Sequence, residues 1–189
     1  MLVYVMRHGE SENNERKLYT GWFDSPLTDT GVEEAKNAGA LMRSVSFDKI
    51  YSSDLKRATK TAQVAIPGCS YELSPLLREI KMGNLENQPL SNLTDEERSA
   101  RLLYGYTDIG GESRVEFRDR VLSFKSELEA LDCERVAIFS HAGWLRAFLT
   151  EVIGVRLSSK VLRCGNCAVA IFEYSNSSWK LHSWINSLQ

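Results

Sequence analysis

The chain has 189 residues, a length that fits one domain of about 100–200 residues with a sizeable core. Its 43% hydrophobic and 25% charged content is that of an ordinary globular protein, neither disordered nor membrane-embedded. The 23 basic and 25 acidic residues give a net charge of −2 and a pI near 6.0, so no general polyanion-binding surface follows, although a local basic pocket is compatible with that balance.

The sequence lacks a run of roughly five or six like charges and any interleaving of basic and aromatic residues, which argues against nucleic acid as a partner. No stretch approaches roughly 18 consecutive apolar residues, so a membrane-spanning helix and a membrane partner are not expected. The first apolar run stops at Met6, short of the roughly 7–15 residues of a signal-peptide core. The expected location is the cytoplasm, where the four cysteines (Cys69, Cys133, Cys164, Cys167) stay reduced.

In chain order, strand and helix signals alternate. Residues 2–6 read as a strand. The segment from Leu27 to Met42 reads as a helix with Ala35, Ala38, Gly39 and Met42 at helical spacing, capped by Thr30 with Glu33 or equally by Thr28. Residues 47–53 (FDKIYSS) read as a short strand. Ser53 or Asp54 is expected to cap a second helix whose apolar face is Leu55, Ala58, Ala62, Ala65 and Ile66, ending near Pro67-Gly68. The middle, about 84 to 111, is the least legible part, with a short helix expected around 95–104 and a break at Gly110-Gly111.

A longer amphipathic helix follows from about 113 to 131, with Val115, Val121, Leu122, Leu128 and Leu131 toward the core. RVAIFSHAG (135–143) is the clearest strand-to-helix junction. The helix after it carries Leu145, Phe148, Leu149 and Ile153 and stops at Gly154. Residues 167–174 and 179–185 read as a final hairpin turning around Asn176-Ser177-Ser178. This alternation predicts an α/β fold with a mostly parallel central sheet covered on both faces. No linker or internal repeat divides it, so residues 1–189 are read as one domain.

Cys164-Gly-Asn-Cys167 is a lone CxxC. Zinc would need two further ligands at suitable spacing, and a thioredoxin-like pair would precede a helix rather than the strand-like AVAIFEY. Structural thiols are the expected reading, and no metal site is expected.

In such sheets ligands bind beyond the carboxyl ends of the strands. Three junctions converge there: the first strand ends in Arg7-His8, the second in Ser52-Ser53-Asp54 with Arg57 one turn into the next helix, and strand 135–140 in His141 at a helix N-terminus. Two guanidinium forks and a helix N-terminus suit a tetrahedral dianion. A histidine in that pocket can attack phosphorus as a neutral imidazole, giving a phosphohistidine. The leaving alcohol needs a proton, and Glu79 in LLREIKMG is the best unclaimed carboxylate, although position alone does not select it. Each histidine or arginine alone would read as an ordinary polar residue; their convergence is what points to chemistry. His182, alternating within WKLHSW, reads as structural.

RHGESENN, SSDLKRATKTA, LREIKMGNLE and SHAG, in that order and with TGWFDSPLTDTG (20–31) between the first two, resemble the histidine phosphatase superfamily in its phosphoglycerate mutase-like branch. The resemblance covers nearly the whole chain. It implies a three-layer α/β/α sandwich, His8 as the phosphorylated nucleophile, and Arg7, Arg57 and His141 clasping the phosphoryl group. Glu79 would donate a proton and later activate water. Asn14 falls at a phosphate-contacting position, Thr20 and Gly21 at substrate contacts, and Glu10 at a supporting acid. No metal or organic cofactor is implied.

Two positions depart from the family pattern: Asn87 stands where many members have glycine, and Ala142 follows His141, beside the substrate, where glycine is common. Trp22, Phe23, Tyr104, Tyr106 and Ser113 fall in segments from which the family builds its specificity pocket. Cofactor-dependent mutases of the family carry a long middle insertion with paired arginines. No Arg-Arg occurs here, and the span from Glu79 to His141 is short. A phosphomonoesterase acting on a small phosphorylated metabolite, such as α-ribazole phosphate or a phosphoglycerate-like compound, is therefore expected. A mutase and a non-catalytic phosphate-binding module are the alternatives.

Overall fold

The computed structural model describes residues 1–154 and 162–186. The apolar run at 3–6 becomes β1 (Leu2–Arg7), buried on both faces, as an uninterrupted apolar run in mid-sheet must be. The short α1 (Glu12–Glu15) follows, then α2 (Asp29–Arg43), β2 (Lys49–Ser52), α3 (Lys56–Ala65) and β3 (Glu72–Leu73). After them come α4 (Asp95–Tyr104), α5 (Arg114–Glu129), β4 (Arg135–Ser140), α6 (Ala142–Ile153), β5 (Val169–Ser175) and β6 (Ser178–Ile185). The strands form one sheet in the order β3-β2-β4-β1-β5-β6. β3, β2, β4 and β1 run parallel, while β5 and β6 are antiparallel additions beside β1.

Alternation along the strands assigns the two faces. Val3 and Val5 with Val136 and Ile138 meet Phe117, Val121, Phe124 and Leu128 of α5 and Trp144, Leu145, Phe148 and Leu149 of α6. Tyr4, Met6, Ala137 and Phe139 meet Met42 of α2 and Ala62 and Ala65 of α3. This is the three-layer α/β/α arrangement. The register pairs Arg7 with Ser140 and Ser52 with Phe139, so three parallel strands stop almost level. Their first non-strand residues are His8, Ser53 and His141.

Local details sharpen or correct the sequence reading. Thr28, not Thr30, caps α2, its hydroxyl accepting from Gly31 N at 3.0 Å. Neither Ser53 nor Asp54 caps α3. Asp54 is drawn into a bidentate pair with Arg78, and Asp24 from a distant loop accepts from Lys56 N at 2.7 Å instead. Val115 is exposed rather than buried, because the stripe of α5 runs through Phe117, Val121, Phe124 and Leu128. The two-residue edge strand β3 carried no readable pattern. Asn176 (φ +50°) and Ser177 (φ +56°) form the two-residue turn of the terminal hairpin, the twist that joins β5 to β6 directly.

Candidate active site

His8 leaves β1 in a fixed orientation. Its Nδ1 lies 2.7 Å from the carbonyl oxygen of Gly9, and its Nε2 lies 3.3 Å from Nε of Arg57. A carbonyl can only accept and a guanidinium N–H can only donate, so Nδ1 carries the proton and Nε2 presents a lone pair. Burial, then the charges of Arg57 and Arg7, hold the imidazole well below its usual range. His8 is therefore a neutral side chain with its basic nitrogen against a cation, the form a nucleophile needs.

Arg57 is 1% exposed and is the second residue of α3. Its Nη1 and Nη2 donate to the carbonyl oxygens of Phe23 and Gly21 at 3.0 and 2.7 Å. Burial lowers it to about 10, so it stays cationic at neutral pH. Arg7 donates through Nη1 to the Cys164 carbonyl at 2.7 Å. His141, 0% exposed, is the N-cap residue of α6, and its ring centroid lies 5.2 Å from that of His8. Its Nε2 is 2.9 Å from Ser53 Oγ. Arg7 Nε and His141 Nδ1 are buried polar atoms without a hydrogen-bond partner among the described residues. Buried polar atoms of this kind are costly unless an acceptor reaches them.

Glu79, in the loop after β3, lies against the start of α6. Its Oε2 accepts from Gly143 N at 2.8 Å and its Oε1 from Ile80 N at 2.9 Å. The helix N-terminus beyond His141, expected to face phosphate, thus gives one of its amides to this carboxylate. Gly143 has to be glycine for that contact, since a Cβ there would lie 2.0 Å from Glu79 Oε1. The structure brings His8, Arg7, Arg57, His141 and Glu79 together. Among the described residues no group of three or more His, Cys, Asp or Glu is arranged to hold a metal ion.

The sequence profile of the histidine phosphatase superfamily (branch 1) matches residues 3–187. The chain belongs to this superfamily. A relative from Salmonella paratyphi A, named "Probable phosphoglycerate mutase GpmB", is 35% identical over 97% of this chain and 89% of its own length. The crystal structure of the α-ribazole phosphatase from Shigella flexneri is similar with a TM-score of 0.86 at 28% identity, covering 99% of this chain and 96% of that one. The crystal structure of a phosphoglycerate mutase from Thermus thermophilus is similar with a TM-score of 0.77 at 31% identity, covering 98% of each chain.

The remaining candidate residues occupy varied settings. Asn14 lies in α1, its Oδ1 accepting from Ser11 N at 3.2 Å. Glu10 is tied to the start of α2, accepting from the Thr28 hydroxyl at 2.8 Å. Gly21, at φ +49°, gives its carbonyl to Arg57, and a Cβ there would lie 2.5 Å from Glu86 Oε1. Thr20 precedes it, its hydroxyl 3.5 Å from the Leu18 carbonyl. Trp22 donates from Nε1 to the Glu79 carbonyl at 2.7 Å, with Arg78 4.5 Å from its ring centroid. Ala142 opens α6 between His141 and Gly143. Of the suggested specificity aromatics, Phe23 and Tyr104 are exposed and Tyr106 is buried in the core; Ser113 caps α5. His182 is exposed on β6.

Sequence reasoning missed Arg120. From α5 its guanidinium donates to the carbonyl oxygens of Leu76 (2.9 Å), Arg78 (2.8 Å) and Glu79 (3.0 Å) and pairs with both oxygens of Glu112. Glu112 in turn accepts from Lys81 N at 2.8 Å. This clamp fixes the segment that carries Glu79, and only the run of carbonyls at the break around residues 75–79 hinted that a donor was needed. Cys164 and Cys167 are free and buried, and burial pushes the Cys167 thiol up to about 12, as fits packing rather than redox chemistry. Their backbone serves the site: the Cys164 carbonyl holds Arg7, and Cys167 N donates to the His8 carbonyl at 3.2 Å.

Proposed function

We propose that the protein is a phosphomonoesterase that works through a phosphohistidine at His8 on a small phosphorylated metabolite. The observation that carries this reading is the orientation of His8, whose proton is held on Nδ1 by the Gly9 carbonyl while Nε2 is left with its lone pair. Nε2 attacks phosphorus and the ester P–O bond breaks. Glu79 gives its proton to the departing alkoxide, so the alcohol leaves neutral. In the second half Glu79 takes a proton from water as that water attacks the phosphohistidine, the P–N bond breaks, and phosphate leaves with His8 restored. Arg7 and Arg57 balance the charge of the transferring group, with His141 contributing a hydrogen bond. Asn14, Thr20, Gly21, Trp22 and Ala142 line the approach, with Glu10 supporting from behind. The reaction draws on no metal or organic cofactor, and residues 1–189 act as one domain in the cytoplasm.

The α-ribazole phosphatase neighbour supports hydrolysis, and the relatives named as mutases support a phosphoglycerate-like substrate. Hydrolysis of p-nitrophenyl phosphate by the wild type and by His8→Ala tests the mechanism: the variant loses turnover, and acid-labile phosphate is trapped on the wild type alone. Wild-type turnover by the variant would sink the reading, as would loss of activity on adding EDTA. A panel of α-ribazole phosphate, 3-phosphoglycerate, sugar phosphates and nucleotides, scored by kcat/KM, identifies the alcohol. Transfer between phosphoglycerate isomers in excess of phosphate release would favour the mutase, and tight phosphate binding without turnover the binding module.

A further inference from the structure

The geometry points to Ser53 as the residue that decides which nitrogen of His141 carries the proton, a positioning role that rests on the phosphoryl-transfer reading above. His141 and Ser53 are both 0% exposed, and 2.9 Å separates Nε2 from Oγ. Burial and the neighbouring Arg57 keep His141 well below its usual range, so one proton is shared between two ring nitrogens. If Nε2 holds it, Nδ1 turns a lone pair on the acceptor oxygens of a phosphoryl group and repels them. If Nδ1 holds it, the orphaned buried nitrogen becomes a donor, as the equally orphaned Arg7 Nε is.

Ser53 is built to select the second case. Its backbone is pinned on both sides, Ser53 N donating to the Phe139 carbonyl at 2.9 Å and its own carbonyl accepting from Ser52 Oγ at 2.8 Å. Leu55 N approaches Ser53 Oγ at 3.4 Å as a donor. Among the described residues the buried hydroxyl proton has no acceptor other than His141 Nε2, and it would be left unpaired if Nε2 carried a proton of its own. The two histidines are thus set by opposite partners. A carbonyl at Nδ1 makes His8 a nucleophile at Nε2, and a hydroxyl at Nε2 makes His141 a donor at Nδ1.

The sequence has three histidines, so ¹⁵N-histidine labelling of the full chain resolves each ring. The tautomers are read in the resting enzyme for wild type, Ser53→Ala and Ser53→Thr, together with orthovanadate affinity and kcat/KM on p-nitrophenyl phosphate. The wild type is expected to carry the His141 proton on Nδ1. In Ser53→Ala it moves toward Nε2 while His8 stays unchanged, and vanadate affinity and kcat/KM fall about 100-fold, the loss typical of one misdirected oxyanion donor. Ser53→Thr, which keeps the hydroxyl, retains the wild-type tautomer. A wild-type proton on Nε2 overturns the proposal, as does a Ser53→Ala variant that keeps the Nδ1 proton. The tautomer is measured without turnover, so failure of the phosphohistidine mechanism and failure of this assignment remain separate results.

Discussion

Gly143→Ala is the most direct probe of Glu79 because the structure states how far the carboxylate must move. The new Cβ would lie 2.0 Å from Oε1, 2.8 Å from Cδ and 2.9 Å from Oε2. Real contacts of this kind do not fall below 3.0 Å, so Glu79 has to retreat by about 1 Å, which also breaks or stretches the 2.8 Å bond to Gly143 N. A displacement of about 1 Å at a reacting group can cost about 100-fold in rate. The lost hydrogen bond is worth about 0.5–3 kcal/mol, the upper end applying to a charged acceptor. Alanine offsets part of that through better helix propensity, up to about 1 kcal/mol.

The variant should therefore fold with stability within about 2 kcal/mol of wild type, by the same figures, yet be a poor catalyst. Rapid-quench measurement of the first half-reaction separates proton donation from the rest. With an alkyl phosphate, whose alkoxide needs a proton, alcohol release should fall about 100-fold. With p-nitrophenyl phosphate, whose phenolate leaves unprotonated, the burst should fall by less than about 10-fold. Equal losses on the two substrates, or none on either, would refute the assignment of Glu79 as the acid.

Arg120→Met removes the donor to three or more loop carbonyls and leaves Glu112 half-paired. Breaking a pair this buried should cost about 3–5 kcal/mol in denaturant unfolding, and kcat should drop more than KM rises. Arg120→Lys should not rescue it, because an ammonium cannot span carbonyls that a guanidinium reaches. Stability should also decline in acid. Burial and the neighbouring arginines hold His8 and His141 well below the ordinary histidine value of about 6.5, so below about pH 6.5 the unfolded chain binds more protons. Each histidine then contributes a slope of up to about 1.4 kcal/mol per pH unit until its folded value is reached, and none above pH 6.5. Thermal melting of His8→Gln should show a shallower decline below pH 6.5 than wild type; parallel curves would contradict the buried neutral assignment. Asn87 holds φ +63°, the left-handed region where glycine and asparagine are at ease. Asn87→Gly should change the melting temperature little, while Asn87→Val should lose about 1–3 kcal/mol.

The parts of this fold that could be read in advance were those written in local pattern. β1 and β4 announce themselves as apolar runs and β2 as a short Ile-Tyr pair before Ser52-Ser53-Asp54, and the rule that ligands sit beyond parallel strand ends then brings Arg7, Arg57 and His141 together without a structure. Thr94 with Glu97 and Ser113 with Glu116 form capping boxes at the starts of α4 and α5, a local signal that the sequence reading left unused. What stayed hidden depends on partners far along the chain. Arg120 reads as one more surface arginine until α5 is laid against residues 75–79, and Asp54 reads as a helix cap until Arg78 arrives to claim it. The glycine pattern at position 87 was visible only as a family preference, and its cause, the positive φ, is a property of the folded loop.

The place of β1 in the sheet has a consequence for how the protein is made. Arg7 and His8 precede most of their partners along the chain: β1 pairs with β4 on one side and β5 on the other, and Arg7 is held by a carbonyl 157 residues away. Such long-range closures are slow, and an apolar strand waiting for both neighbours is open to mispairing. The pocket cannot be assembled until the segment 164–168 has docked beneath the two catalytic candidates. The geometry of the candidate site is in that sense a marker of completed folding: any probe that reads the Arg7–Cys164 contact also reads closure of the sheet.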